Sequence, residues 1–139
     1  MLRISLCLVL LCLGSFAVGC AEENGVKTVP VTGTITVNGM PVRGIHVKFA
    51  PESGDRPSVA NTDESGTYRA QFLKDQYGVV PGPCQVKLLY AVGEAGTNYL
   101  PKEYSDSSGK HPELSIVIPE DGYVFDYDID YNGKLPPQN

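Results

Sequence analysis

Two histidines, four cysteines, eight tyrosines and a row of aspartates carry whatever chemistry this chain can do. Acid–base catalysis needs groups of matched protonation converging on one place. His46 alternates with Ile45 and Val47 and sits beside Lys48, on the polar side of a strand pattern, while His111 falls in a long loop. The serines lie in loop-like stretches, without the strand-turn-helix setting that exposes a nucleophile. Both histidines are therefore read as solvated side chains, and no catalytic residue is assigned.

Asp126, Asp128 and Asp130 alternate with Phe125, Tyr127 and Ile129, so a strand would put all three carboxylates on one face, about 6.6 Å apart. Ca²⁺ would relieve their repulsion, but three carboxylates rising from one strand at that spacing cannot all reach one ion at about 2.3–2.6 Å. No Asp-x-Asp-x-Asp-Gly loop accompanies them. The row reads as a solvated face that also discourages edge pairing, with no metal and no cofactor expected.

Tyrosine is abundant and tryptophan absent. Strand patterns account for Tyr68, Tyr90, Tyr123 and Tyr127. Tyr77, Tyr99, Tyr104 and Tyr131 fall in loops or at ends. There, rigid amphipathic rings can either cap the open end of a fold or contact a sugar or a protein. Tyr99, Tyr104 and Tyr77 are the candidate binding surface.

The cysteines bear on the chain's destination. Arg3 followed by the apolar run 4–18 has the form of an export signal, too short for a comfortable membrane span of about 20 residues. It ends in Ala17-Val18-Gly19-Cys20, which resembles a bacterial lipobox, with Ala17 where Leu is usual; polar residues begin directly after Cys20. Residues 1–19 are read as a signal peptide and Cys20 as the site of lipid attachment, with 20–28 as a tether. Two or more acyl chains would hold stably, since each buried methylene contributes about 0.8 kcal/mol. Cys7 and Cys12 leave with the signal, so Cys84 remains alone and no intrachain disulfide can form. Its parity with Val86, Leu88 and Tyr90 turns it inward, as a small hydrophobe.

Loss of residues 1–19 removes Arg3 and no acid, so the charge moves from 11 − 16 = −5 to 10 − 16 = −6. Phosphate binding rests on neutralisation by Lys and Arg, so this balance excludes nucleic acid as a partner. It argues equally against adhesion through anionic lipid headgroups, and leaves membrane attachment to the anchor.

The positioning elements are strands. Val31, Gly33, Ile35 and Val37 alternate with Thr32, Thr34 and Thr36, and Ile45, Val47 and Phe49 alternate with His46 and Lys48. Between them lie Asn38-Gly39 and Pro41, which are turn formers. Further strands are predicted at 58–62, 67–73, 84–92, 113–118 and 123–129. Asp63-Glu64-Ser65-Gly66 forms a tight turn, and 93–109 is irregular. Seven strand candidates without a helical pattern longer than a turn predict an all-β sandwich over 29–131, with 132–139 a loose tail.

The stretches Gly33-Thr34-Ile35-Thr36-Val37-Asn38-Gly39-Met40-Pro41-Val42-Arg43-Gly44-Ile45-His46-Val47-Lys48-Phe49, Thr62-Asp63-Glu64-Ser65-Gly66-Thr67-Tyr68, Val80-Pro81-Gly82 and Pro101-Lys102-Glu103-Tyr104-Ser105 resemble the carboxypeptidase-regulatory-like domains, especially the small lipoproteins of planctomycete-type bacteria. The resemblance implies a transthyretin-like, Ig-like or prealbumin-like sandwich of about seven strands, an accessory role and no shared catalytic residues. The same fold serves hydroxyisourate hydrolases, which end in Tyr-Arg-Gly-Ser. Tyr131-Asn132-Gly133-Lys134 keeps only the Tyr and the Gly, and so lacks the planar guanidinium that would hold an anionic ring.

These readings converge on a non-enzymatic, extracytoplasmic protein, membrane-anchored through Cys20, with a structural or protein-interaction role in the cell envelope. The alternative is a carbohydrate- or protein-binding module whose partner, an envelope protein or a glycan, meets the tyrosine-bearing loop.

Overall fold

The computed structural model describes residues 25–92 and 96–137. The signal peptide, Cys20 and the first part of the tether lie outside the described residues, as do 93–95 and 138–139.

Alternation of apolar and polar side chains becomes alternation of burial. β1 (Val31–Val37) buries every odd position and half-exposes its threonines. β2 (Met40–Pro41) follows the Asn38-Gly39 turn, with both turn residues at positive φ (50° and 76°). Then come β3 (His46–Pro51), β4 (Ser58–Asn61), β5 (Thr67–Arg69), β6 (Gln71–Leu73), β7 (Gln76–Tyr77) and β8 (Gly82–Leu89). β9 (Ala91–Val92) and β10 (Thr97–Asn98) pair with each other, and β11 (Ser115–Ile118), β12 (Tyr123–Val124) and β13 (Tyr127–Ile129) complete the set. Single 3-10 turns occur at Lys102–Tyr104 and Pro112–Leu114.

Two main sheets enclose one core. The six-stranded sheet runs β11-β8-β3-β4-β6-β7 and is antiparallel throughout. In the other sheet β1 is central, with β2 and β5 antiparallel on one side and β12 and β13 parallel on the other. Val31, Ile35, Val47, Phe49, Val86, Leu88 and Ile129 are fully buried between them. The Phe49 ring meets Tyr68 at 6.0 Å and Phe125 edge-on at 6.2 Å, joining the two layers. Each such aromatic contact adds about 0.5–1.5 kcal/mol beyond its burial.

Three expectations change. The Asn38-Gly39 turn closes β1 on β2, not on β3: after two residues Val42 turns inward, and Gly44 (φ 86°) redirects the chain into the opposite sheet. Buried Thr62 fastens this crossover, its hydroxyl donating to the Val42 carbonyl (2.6 Å) and accepting from the Ile45 N–H (2.9 Å). The predicted strand 67–73 breaks at Ala70, because β5 pairs with β1 and β6 with β4, so one stretch of chain serves both sheets. Residues 26–28 of the expected tether are held against β7. Gln76 Nε2 donates to the Val26 carbonyl (2.9 Å), the Thr28 hydroxyl donates to the Tyr77 carbonyl (3.0 Å), and Val29 and Val79 exchange backbone hydrogen bonds.

Pairing directions define two poles. Residues 25–30, 51–57, 74–81 and 119–122 gather where β1 begins; 38–44, 62–66, 90–92, 96–111 and 130–137 gather where it ends. The first is the near pole, since the chain enters there, and the second the far pole.

Candidate functional site

At the far pole two short 3-10 turns bring loop side chains onto the last strand. Pro112, whose fixed φ suits the first position of a turn, starts the second of them directly after His111. The Tyr104 ring stacks on His111 at 4.1 Å with 17° between planes, and its hydroxyl donates to the Asp130 carbonyl (3.1 Å). Glu113 Oε1 lies 3.0 Å from His111 Nδ1 and accepts a hydrogen bond from the Tyr127 hydroxyl (2.7 Å). Tyr127 stacks in turn on Phe125, at 5.9 Å.

This cluster shapes its own electrostatics. The Tyr127 hydroxyl, with support from His111, holds the Glu113 carboxyl below its ordinary range. Burial, then the Glu113 carboxylate, pushes the Tyr127 hydroxyl up; burial does the same to Tyr104. A carboxylate on Nδ1 fixes an imidazole's orientation, the arrangement from which acid–base chemistry is built. Here the same oxygen also holds Tyr127, and Tyr104 covers one ring face. The four side chains thus act as a buckle between the long loop and β13. Sequence reasoning passed over this group. Its local trace is the His111-x-Glu113 spacing, whereas contact with Tyr104 and Tyr127 depends on tertiary folding.

The three candidate tyrosines do not share a surface. Tyr104 is 4% exposed and serves as a cap. Tyr99 is half-buried against Tyr90, ring to ring at 6.0 Å, and its N–H donates to the Tyr90 carbonyl. Tyr77, 48% exposed, lies on β7, four strands from β8 or about 19 Å at ordinary strand spacing, with the Arg69 guanidinium 4.0 Å from its ring centre.

The aspartate row points outward as its alternation requires, but two carboxylates are engaged with β1. Asp126 Oδ1 accepts the Thr34 N–H (2.8 Å); Asp128 Oδ1 accepts the Thr36 hydroxyl (2.5 Å) and the Gly39 N–H (2.8 Å). The Thr36 hydroxyl, then the Gly39 amide, lowers the Asp128 pKa. Among the described residues no group of three or more His, Cys, Asp or Glu is arranged to hold a metal ion. His46, on the outer side of β3, has Nδ1 3.2 Å from Asn61 Oδ1. Cys84 is fully buried, and burial pushes its thiol up to about 12, which suppresses the reactive thiolate. No family model matches the chain, and neither a curated protein nor a solved structure matches it.

Proposed function

We propose that this chain is a lipid-anchored, extracytoplasmic module with a structural or protein-interaction role in the cell envelope, and that it is not an enzyme. The observation that carries this reading is the far-pole buckle. The groups best suited to acid–base chemistry, His111 and Glu113, are tied to Tyr104 and Tyr127, where they fasten a loop to the last strand. The fold is a prealbumin-like sandwich of about seven strands. Joining β5 to β6, β8 to β9 and β12 to β13 leaves seven long runs, with β2, β7 and β10 as two-residue additions. Likeness to the carboxypeptidase-regulatory-like lipoproteins agrees with this count and with an accessory role.

The lipid on Cys20 gives the poles their meaning. At most about 17 Å of chain separates Cys20 from Gly25, five residues on, so the near pole stays by the bilayer. The far pole, with Tyr99 and the buckle, stands away from the anchor and is left for a protein partner. A photo-crosslinking residue at Tyr99 in the envelope of living cells should yield a discrete protein adduct, while the same residue at Ser53, on the near pole, should not. Adducts with glycan only would move the chain to the carbohydrate-binding alternative; equal adducts from both poles would remove the orientation.

A further inference from the structure

We propose that the outer face of the six-stranded sheet is a membrane-contact face for anionic lipid headgroups. None of the strands in this sheet, β3, β4, β6, β7, β8 or β11, contains an Asp or a Glu, although the chain as a whole carries −5. The carboxylates nearest in sequence, Glu52, Asp63, Asp75, Glu113 and Glu120, sit in the connections at strand ends. At the centre of the face Lys48 and Lys87 are directly opposite each other on β3 and β8. Like charges so placed repel, and neither forms an ion pair among the described residues. An anionic layer against the sheet would relieve that repulsion. The average charge of the chain hides this, because its carboxylates lie in the connections or, as with Asp126 and Asp128, in the opposite layer beside β1.

Apolar side chains select a lipid surface over a soluble polyanion. Val59, Leu73, Tyr77 and Val117, all on strands of this sheet, are half of the eight large hydrophobic side chains exposed among the described residues. Val59 is in register with Lys48 on one side and Gln71 on the other, and Gln71 with Tyr77. This row runs lysine, valine, glutamine and tyrosine across the face. Lysine stems bury their methylenes while the ammonium stays wet, and tyrosine rings settle at headgroup depth. Arg69, on β5 of the other sheet, reaches over the Tyr77 ring and adds a third cation at that edge. The chain also enters beside β7, the edge strand of this sheet. That proximity rests on the anchored reading given above, whereas the composition of the face does not.

Because the chain has no tryptophan, single substitutions report separately from each layer. Full-length protein carrying Val59→Trp, on this face, or Val124→Trp, exposed on the opposite layer, is mixed with vesicles of phosphatidylcholine, alone or with an equal share of phosphatidylglycerol, both with brominated acyl chains. The Val59→Trp reporter should shift to the blue and be quenched at least about twice as strongly as the Val124→Trp reporter, and more so with phosphatidylglycerol. Each lysine near an anionic surface is worth roughly a five-fold change in partitioning. Adding Lys48→Gln and Lys87→Gln to the Val59→Trp chain, with folding checked by circular dichroism, should therefore cut the phosphatidylglycerol-dependent part of the quenching about 25-fold. Equal quenching of both reporters, stronger quenching of the Val124→Trp reporter, or indifference to the two lysines would overturn the proposal. A spectral shift caused by a soluble carboxylated polysaccharide but by neither vesicle would reassign the face to a glycan. A mass measurement of Cys20 in the same samples separates a failed anchor from a failed face, since the reporter comparison holds with or without acylation.

Discussion

Gly33 is the residue on which the pairing of β1 with the last strand turns. A β-carbon there would lie 1.9 Å from the Phe125 carbonyl oxygen, and that oxygen accepts the buried Tyr68 hydroxyl at 2.7 Å. Between β12 and β13 the Asp126 side chain takes the Thr34 N–H, which is why the two short strands behave as one interrupted run beside β1. Gly33→Ala should cost about 3 kcal/mol or more, since packed backbone has nowhere to move; urea melts measure it. Asp128 makes a second residue-scale test. Its folded pKa is lowered, so its contribution is present above the unfolded value of about 3.9 and is lost as pH falls through the folded value. Glu113 contributes with the same sign. Stability should therefore decline on acidification below about pH 4, and Asp128→Asn should flatten that decline while costing at most about 1 kcal/mol at pH 7, given its exposure. An unchanged pH slope in the variant would remove Asp128 from the account.

At the scale of elements, turns and parities were legible where they are local, and long-range pairing was not. The burial of β1, β3 and β8 follows their alternation residue for residue, with Cys84 inside as its parity requires. The Asp63 turn forms as its residues demand, with Oδ1 accepting from the Ser65 and Thr67 amides and the Ser65 hydroxyl, and with Gly66 at φ 75°. The switch of sheets at Ala70 had no local signal, because Thr67 to Leu73 alternates evenly while its hydrogen-bond partners change from β1 to β4. Nor did the parallel pairing of β1 with β12 and β13, separated from it by some ninety residues. The tyrosines illustrate the limit for the site: residue type and loop position grouped Tyr77 with Tyr99 and Tyr104, and the sheet order separates them. Turn geometry gives a graded prediction. Gly66→Val meets both positive φ and the Ile35 carbonyl 2.5 Å from the new β-carbon, whereas Gly39, also at positive φ, has open space around it. Positive φ alone costs about 1–2 kcal/mol, and each kcal/mol lowers Tm by roughly 3–6 °C in a domain of this size. Gly66→Val should therefore lower Tm by at least about 5 °C, and by more than Gly39→Ala does; the reverse order in calorimetry would contradict the turn's role in holding β1 and β5 together.

For the whole molecule, the proposed attachment and orientation rest on one covalent bond. With Cys20 lipidated, as proposed, the near pole would lie within about 17 Å of the bilayer, and the far pole would lie roughly 23 Å from the near pole along β1, the length of seven residues of strand. The far pole, with Tyr99 and the His111 buckle, would then stand away from the anchor point, and the lysine-bearing sheet could lean its outer face on headgroups. The anchored reading of this chain depends on that bond. Intact-mass and N-terminal peptide spectrometry of the protein from cells therefore tests the account most directly. The mature chain should begin at Cys20 with the added mass of a diacylglyceryl group, and Cys20→Ala should abolish both the added mass and membrane retention; a mature chain that begins elsewhere, or that carries an unmodified Cys20, would contradict it.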